Sequence, residues 1–266
     1  MHLINGQWQS EINASDRAIQ FGDGCFTTAR ILSGAICHQP DHLRRLQQAC
    51  EVLLITKVDW QKLEHEMNML ASETPDGVLK VIISRGSGGR GYSASHCDNP
   101  TRILSVFPRP AFYHHWRKQG IKLALSPVRL GQNPMLAGIK HLNRLEQVLI
   151  RTHLEQTDAE EALVLDSEGW LVECCAANLF WRKGEQVFTP YVDKSGVNGT
   201  MRQRIMSYLK GSRWHCEQVS EPPETLADAD EVIICNALMP IIPVRQVENW
   251  HYPIGALYHF LAPLCE

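Results

Sequence analysis

Two short turn signals constrain the N-terminal part of the chain most strongly. An Asn-Gly pair at residues 5–6 separates "HLI" from "QWQ", and a Ser-Gly pair at residues 33–34 interrupts "CFTTARILSGAICH". Two-residue turns of this kind join only antiparallel strands, and the flanking residues are of the types found in strands. Two further β-rich runs, "GVLKVIISRG" and "TRILSVFPRP", flank a glycine-rich loop. The pattern predicts a sheet built from antiparallel hairpins.

Segments with helical periodicity alternate with these strands. "DHLRRLQQACEVLLI" places leucines and Cys50 on one face, with Asp41 as the expected N-cap, and "DWQKLEHEMNMLASE" is a second amphipathic helix. Further along, predicted strands "IKLALSPV", "EALVLD", "WLVECCAANLFWRKG", "EQVFTP" and "ADEVIIC" alternate with helices that begin near Lys140, at "NGTMRQRIMSYLKG" and at "ALYHFLAPLC". The mixture predicts the α+β class, with a mixed α/β character.

Length and charge limit the number of domains and the kinds of partner. The chain has 266 residues, 44% of them hydrophobic, which suits one large domain or two smaller ones. Pro108 and Pro110 mark the best linker candidate, so we predict an N-terminal α/β domain at 1–109, a linker at 110–119 and a C-terminal domain at 120–266. The net charge of −3 gives no footprint for nucleic acid, although a small anion could still be bound locally.

Hydropathy and the spacing of the cysteines indicate the cellular compartment. No apolar run approaches the roughly 18 residues that a spanning helix needs, and the N-terminus lacks the basic and apolar regions of a signal peptide. The nine cysteines are scattered and none forms a C-x-x-C pair, which favours reduced thiols over disulfides or a zinc site. We therefore expect a soluble cytoplasmic protein without a membrane partner or a metal.

Lys140 is the first candidate for chemistry. In "AGIKHLNRLEQVL" it has apolar neighbours, Ile139 and Leu142, and the periodicity predicts that it lies in the first turn of a helix. A lysine that is kept dry and near other cations has a lowered pKa and becomes an amine nucleophile. The alternative is an ordinary solvated lysine at the head of an amphipathic helix, and the local motif does not separate the two.

Three other positions carry groups suited to an anionic or aromatic ligand. Arg45 lies at the edge of an apolar stripe, where it could clamp a phosphate or simply face solvent. Glu173 interrupts an apolar strand and needs a partner, either a protonated pyridine nitrogen or an arginine. The stretch "GVNGTMR" precedes a helix, so the first amides near Thr200 could bind phosphate, although a plain loop-to-helix junction looks the same.

The loop "RGSGGRGY" does not fit the known phosphate-loop patterns, because a strand rather than a helix follows it. We interpret it as a flexible loop whose Arg85 and Arg90 could meet an anionic substrate. No Ser/His/Asp ordering is visible, so the sequence does not support a hydrolase triad.

In their shared order and spacing, these stretches resemble the fold-type IV pyridoxal phosphate (PLP) enzymes, the group that holds branched-chain and D-amino-acid aminotransferases. The resemblance spans nearly the whole chain. It is carried by "SDRAIQFGDGCFTTAR", "HLRRLQQAC", "VIISRGSGGRGY", "IKHLNRLEQVLIR", "DSEGWLVECCAANLF", "NGTMRQ" and "VIICNALMPIIPV". It implies a PLP cofactor, a homodimer, a smaller N-terminal α/β domain and a larger C-terminal β-barrel-like domain with helices.

The resemblance also implies a role for each matched position. Lys140 matches the lysine that binds the cofactor covalently, Glu173 the acid that keeps the pyridine nitrogen protonated, and Arg45 a phosphate-binding arginine. The backbone amides of Thr200 and Met201 match the phosphate cradle. Thr28 matches a catalytic residue on the substrate side of the pocket.

Three positions depart from the aminotransferases of the group. Asn236, on the substrate and cofactor side, stands where branched-chain aminotransferases look glycine-like. Ala237 stands at the position of a phosphate-binding threonine, so one phosphate contact is expected to be missing, and Leu145 replaces a pocket tyrosine. These departures favour a lyase over simple transamination.

The resemblance therefore implies a lyase reaction that releases 4-aminobenzoate and pyruvate from 4-amino-4-deoxychorismate, a step of folate biosynthesis. Lys140 is expected to act as general base and Thr28 to help protonate the departing enolpyruvate. Two alternatives stay open. One is a PLP-dependent D-amino-acid or branched-chain aminotransferase, and the other is a non-enzymatic binding protein for phosphate ligands that has kept only the fold.

Overall fold

The computed structural model describes residues 1–265 and contains two compact units. Unit 1 comprises Met1–Arg109 and the short segment Ile139–Asn143, and unit 2 comprises Pro110–Gly138 and Arg144–Glu266. The domain limits and the linker given above remain a prediction. The stretch proposed as a linker contains a helix, Tyr113–Gln119, that belongs to unit 2.

Unit 1 is built on a six-stranded sheet in which all neighbours are antiparallel, with the order β2-β1-β6-β5-β3-β4. Its strands are β1 His2–Ile4, β2 Gln7–Gln9, β3 Gly24–Leu32, β4 Ala35–Ile36, β5 Asp76–Ser84 and β6 Thr101–Phe107, and its helices are α1 Arg17–Phe21, α2 Gln39–Val52 and α3 Trp60–Ser72. Both predicted hairpins are confirmed. Their turn residues have the positive φ that tight hairpin turns require: 51° and 83° at Asn5-Gly6, and 52° and 78° at Ser33-Gly34.

The two longer helices of unit 1 cover one face of this sheet. Alternate residues of β5, such as Leu79 and Val81, are fully buried in a cluster with Leu46 of α2 and with Leu63 and Met67 of α3. Successive side chains of a strand point to opposite faces, so the residues between these positions lie on the other face of the sheet. That second face carries the polar groups described below.

The start of α2 differs from the prediction. The helix begins at Gln39 with His38 as its N-cap, whereas Asp41 lies within the first turn. Pro40 explains the earlier start, because its fixed φ suits the first turn of a helix and it has no N–H to satisfy there. The carboxylate of Asp41 accepts a hydrogen bond from Arg44 instead of capping the helix.

Unit 2 contains a nine-stranded mixed sheet with the order β12-β11-β10-β13-β14-β7-β8-β9, and β15 pairs with β14. Its elements are α4 Tyr113–Gln119, β7 Ile121–Leu125, α5 Leu145–Leu154, β8 Glu161–Leu165, β9 Leu171–Cys174, β10 Asn178–Lys183, β11 Gln186–Pro190, α6 Thr200–Leu209, β12 His215–Val219, a 3-10 helix Pro223–Asp228, β13 Glu231–Cys235, β14 Ile242–Val247, β15 Trp250–His251 and α7 Ala256–Cys265. The pairs β11–β12, β14–β7 and β7–β8 are parallel. The α+β class is thus confirmed.

Two elements near the candidate residues were predicted wrongly. Lys140 is not in a helix, because its segment pairs with β3 and α5 begins only at Leu145. The long predicted strand through Glu173 is two strands, β9 and β10, separated by a turn in which Cys174 donates its N–H to the carbonyl of Ala177. In both places, tertiary pairing and local turns determined the structure in spite of the sequence pattern.

Within residues 1–265, no helix has the length and apolar character needed to cross a membrane.

Candidate active site

Lys140 lies in an extended segment that runs antiparallel to the start of β3. The N–H of Phe26 donates to the carbonyl of Lys140 at 2.9 Å, and the N–H of Leu142 donates to the carbonyl of Gly24 at 3.0 Å. A side chain at Gly24 would collide with the carbonyl of Ile83 and approach Leu142, so only glycine permits this close pairing. The segment is therefore fixed to the sheet of unit 1.

The side chain of Lys140 lies beside the sheet face opposite helices α2 and α3. Its ammonium nitrogen is 4.7 Å from the centroid of the Phe26 ring, and the ammonium of Lys80 is 5.4 Å from the same centroid. Thr28 projects from the same face as Phe26, two residues further along β3. Unit 1 thus places the predicted nucleophile beside the sheet face from which the predicted catalytic hydroxyl projects.

Arg45 is half-buried on α2, and its guanidinium has no hydrogen-bond or ion-pair partner among residues 1–265. Burial lowers the pKa of Arg45 to about 10, and the negative charge of Asp41 opposes that shift. The side chain remains a cation at neutral pH, and its donors are available to a ligand. Arg44, by contrast, is exposed and pairs with Asp41 at 3.0 Å. Because Arg44 already has a carboxylate partner and Arg45 does not, Arg45 is the better candidate for binding a phosphate.

Glu173 is buried in β9, with only 5% of its surface exposed. Its Oε2 accepts a hydrogen bond from the N–H of Val197 at 2.8 Å. The neighbouring Gly196 has a φ of 82°, and a Cβ there would lie 2.5 Å from Val172, so the close approach of this loop depends on glycine. Burial lowers the pKa of Arg144, and the carboxylate of Glu173 opposes that shift, which places the two charges within electrostatic reach of each other.

The start of α6 has backbone N–H donors without an acceptor among residues 1–265. Its N-cap is Gly199, which provides no side-chain cap, and the first N–H groups of a helix have no partner within the helix. A Cβ on Gly199 would collide with Oδ1 of Asn178. The buried Arg202 anchors the preceding loop by donating to Asn198 at 3.0 Å and to the carbonyl of Pro190 at 2.8 Å. Thr200 and Met201 are the first two residues of this helix, as the sequence predicted.

Asn236 organises the turn that follows β13. Its Nδ2 donates to the carbonyl of Ala176 at 2.9 Å, and its Oδ1 accepts from the N–H groups of Leu238 and Met239. Within residues 1–265 the backbone N–H of Ala237 has no hydrogen-bond partner. The turn therefore offers a backbone donor at Ala237, and the Asn236 side chain is the group that shapes it.

The two arginines of the glycine-rich loop differ. Arg85 donates to Oδ2 of Asp23 at 2.7 Å and to the carbonyls of Leu53 and Leu54, so all three of its nitrogens have partners. Burial raises the pKa of Asp23, but the hydrogen bonds from Arg85 and Arg17 outweigh burial and lower it overall. These contacts favour a structural role for Arg85. Arg90 is exposed.

The contacts of Arg17 show how the glycine-rich loop is held in place. Its Nη1 donates to the carbonyls of Gly91 and Ser93, at 3.0 and 3.1 Å. Its Nη2 donates to the carbonyl of Tyr92 and its backbone N–H to that of Gly86, so the loop is anchored to α1 at several points although it contains no helix or strand.

Sequence reasoning missed Lys80, Arg144 and Arg202. Lys80 could have been found by the signal that identified Glu173, because a lone charge in the apolar strand "GVLKVIIS" also needs a partner. Arg202 follows the predicted phosphate cradle directly and lies on a buried helix face. No sequence signal separates Arg144 from the other arginines of its segment, since its neighbour Glu173 is distant in the chain.

The sequence model of the family "amino-transferase class IV" matches residues 24–247. The chain belongs to this family. It is 38% identical to an aminodeoxychorismate lyase from Vibrio harveyi over 262 residues, which is 97% of this chain and 96% of that protein.

Two solved structures show how far the similarity extends in three dimensions. The crystal structure of 4-amino-4-deoxychorismate lyase from Pseudomonas aeruginosa superposes with a TM-score of 0.95 at 34% identity, covering 99% of this chain and 97% of that one. A hypothetical aminotransferase from Mycobacterium tuberculosis, solved in a PLP-bound form, has a TM-score of 0.85 at 19% identity and covers 97% and 92% of the two chains. The second likeness bears on the fold alone.

Proposed function

We propose that this chain is a PLP-dependent aminodeoxychorismate lyase, which converts 4-amino-4-deoxychorismate to 4-aminobenzoate and pyruvate in folate biosynthesis. The observation that carries the proposal is the position of the Lys140 ammonium beside the sheet face that presents Thr28. The full-length similarity to the lyase from Vibrio harveyi supports it. A general base and a hydroxyl donor on one face are the two proton-transfer groups that such an elimination needs.

The residues present fit PLP at both ends of that molecule. In unit 1, Arg45 is a half-buried cation whose donors are available for a phosphate. In unit 2, the first amides of α6, at Thr200 and Met201, are of the kind that phosphates occupy. The backbone N–H of Ala237 is a further donor. At the other end, the buried carboxylate of Glu173 suits a protonated pyridine nitrogen.

When bound, PLP supplies an electron sink for the carbon that carries the substrate amino group. The chain itself moves the protons. Lys140 takes the proton from C4 of the substrate, the bond between C3 and the ether oxygen breaks, and the ring becomes aromatic. Thr28 gives a proton to the methylene carbon of the departing enolpyruvate, which becomes pyruvate. Arg90 and Asn236 are assigned to the substrate side of the site.

The test is incubation of the purified protein with PLP and 4-amino-4-deoxychorismate, followed by chromatographic detection of the products. We expect 4-aminobenzoate and pyruvate in equal amounts. An aminotransferase on the same cofactor is the second candidate, and the family's own description favours it next. That alternative would replace ours if a D-amino or branched-chain amino acid converted the bound cofactor to its amine form while no 4-aminobenzoate appeared.

The proposed enzyme is a cytoplasmic homodimer. Helix α5 supports the dimer, because Leu145, Val148 and Leu149 form an apolar stripe at helical spacing and are 71%, 58% and 46% exposed. The nine cysteines are free, which is usual for a reducing compartment. Light scattering during gel filtration should give twice the 30.1 kDa mass of the chain. A mass of one chain would exclude the dimer.

A further inference from the structure

Asn178 has no role in the function described so far, yet its buried side chain contacts the loop that precedes α6. It is the first residue of β10 and is 5% exposed. Its Nδ2 donates to the carbonyl of Val197 at 2.8 Å, and its Oδ1 lies so close to Gly199 that a Cβ there would collide with it. Asn178 therefore touches both ends of the segment Val197–Gly199, which we call the connecting segment.

The two ends of the connecting segment serve different groups. At one end, the N–H of Val197 donates to the buried carboxylate of Glu173 at 2.8 Å. At the other end, Gly199 is the N-cap of α6, whose first residues are Thr200 and Met201. Three residues thus join the carboxylate assigned to the pyridine nitrogen of PLP to the amides assigned to its phosphate.

The connecting segment is also held on its other side. The N–H of Gly138 donates to the carbonyl of Gly196 at 3.0 Å, and the N–H of Asn198 donates to the carbonyl of Gly138 at 3.0 Å. The guanidinium of Arg202 holds the side chain of Asn198 at 3.0 Å. A closely packed segment that is fixed along its length transmits a displacement instead of absorbing it.

Asn178 also explains why residue 199 is a glycine. The φ of −60° and ψ of 143° at Gly199 are open to any residue, so the backbone conformation does not require glycine. Apart from atoms of Asn178, the nearest neighbour of a Cβ at this position would be the Cβ of Arg202, at an ordinary 3.6 Å. The Asn178 side chain is therefore the obstacle to a larger residue at the start of α6.

We propose that Asn178 is a positioning residue that couples the phosphate end of the cofactor site to its pyridine end. It fixes the Val197 N–H that holds Glu173, and at the same time it sets how closely the start of α6 approaches β10. A shift at the amides of Thr200 and Met201 is therefore felt at the Glu173 carboxylate. This proposal rests on the cofactor roles assigned above to these residues, and it holds for either reaction of PLP.

The test uses the full-length protein loaded with PLP that is isotope-labelled at the pyridine nitrogen. Phosphorus NMR reports on the phosphate end, and nitrogen NMR reports on the protonation of the pyridine. In Gly199→Ala the added methyl group pushes against Oδ1 of Asn178, so we expect both signals to move. The Kd for PLP should rise roughly ten- to a hundredfold, because a buried hydrogen bond is disturbed.

Removal of the Asn178 side chain should abolish the coupling. Asn178→Ala alone should move both signals, because the carbonyl of Val197 loses its donor. In the Asn178→Ala background, Gly199→Ala no longer meets an opposing atom, so it should shift the nitrogen signal no further and leave the Kd for PLP within about twofold of Asn178→Ala. The two substitutions are thus expected to be strongly non-additive.

Tyr252→Phe is the matched control, because it removes another buried hydrogen bond of unit 2, from the Tyr252 hydroxyl to the carbonyl of Leu226 at 2.8 Å. It should lower the unfolding temperature but leave both NMR signals at their wild-type positions. Two results would overturn the proposal: a Gly199→Ala protein in which only the phosphorus signal moves, or equal effects of Gly199→Ala with and without Asn178.

The signals of the bound cofactor require no turnover, so the proposed function is tested separately. A wild-type chain that makes no 4-aminobenzoate but shows the non-additive NMR shifts would overturn the lyase function and support the role of Asn178. A chain that makes 4-aminobenzoate but shows additive shifts would do the reverse.

Discussion

The two sheets of this protein carry charged side chains in different ways. In unit 1, Lys80 projects from the sheet face opposite helices α2 and α3 and has no carboxylate partner within residues 1–265. In unit 2, Glu161, Glu173 and Glu231 lie in strands with no more than 5% of their surface exposed, and each accepts hydrogen bonds from backbone N–H groups. A charged residue within a strand can therefore either stabilise the fold or remain available to a ligand, and its hydrogen-bond partners distinguish the two cases.

Glu231 is the clearest example of a strand carboxylate that stabilises the fold. Its carboxylate accepts from the N–H groups of Leu257 at 3.0 Å and Tyr258 at 2.7 Å, at the start of α7, and from Nε of Arg182 at 3.0 Å. An anion at a helix N-terminus is stabilised by the helix dipole. Glu231 thus ties β13 to α7. Glu173 instead accepts from a loop amide, that of Val197, at a bend that depends on glycine.

The largest effect is expected from Lys140→Ala. Loss of the amine removes both the covalent link to PLP and the general base, so turnover should fall by roughly a thousandfold or more. Borohydride reduction followed by peptide mass spectrometry should locate the cofactor on residue 140 in the wild type and find none in the variant. The exposed Lys183→Ala, in unit 2, serves as control. Cofactor attached to any other lysine would remove Lys140 from its role.

The next effect concerns stability rather than activity. Glu231→Gln removes the anion that faces Arg182 and the start of α7, so the free energy of unfolding should fall by about 3 kcal/mol or more. Urea denaturation should show this loss, while Glu224→Gln, at an exposed position, should leave the midpoint unchanged. A wild-type midpoint for Glu231→Gln would show that buried strand carboxylates in unit 2 do not stabilise the fold.

Because the carboxyl group of Glu161 is buried, we expect the free energy of unfolding to depend on pH. Burial raises the pKa of Glu161 to about 7, although the N–H groups of Ala162 and Ala176 act in the opposite direction. The unfolded chain releases this proton near 4.5, so the folded chain binds more protons between these values. The free energy of unfolding should therefore fall as the pH rises from about 4.5 to 7, by an amount on the order of 3 kcal/mol.

Glu161→Gln should flatten that slope, since glutamine does not titrate. Urea midpoints measured at several pH values in this window provide the test. Glu185→Gln, at an exposed position, should keep the wild-type slope. Equal slopes in the wild type and in Glu161→Gln would mean that another group controls the dependence.

Thr28→Val should produce the smallest change. Valine keeps the shape of threonine without the hydroxyl, so kcat should fall about tenfold, as expected when one proton donor is replaced by water. Thr28→Ser should restore most of the loss, and the absorbance of the bound cofactor should be the same in both variants. If Thr28→Val turns over as fast as the wild type, enolpyruvate receives its proton from another donor.

Much of the fold was predictable, because hairpins and amphipathic helices are specified by neighbouring residues. The Lys140 segment was not, since its extended conformation depends on hydrogen bonds to Gly24 and Phe26 more than a hundred residues earlier. The same limit applies to carboxylates. "EALVL" and "DEVIIC" contain the signal that drew attention to Glu173, yet Glu161 and Glu231 gave no prediction. Their hydrogen-bond partners separate these glutamates, and apart from Ala162, which directly follows Glu161, those partners lie 15 or more residues away in the chain.

The discontinuity of unit 1 has a consequence for the growing chain. On the ribosome, all six strands of its sheet are synthesised before residue 110, but the segment that covers the start of β3 emerges about thirty residues later. Until then, the N–H of Phe26 and the carbonyl of Gly24 have no partner from that segment. A fragment that ends at Arg109 would expose this strand edge, which is a site for pairing with other chains. Synthesis of Lys140 therefore also delivers the segment that closes the edge.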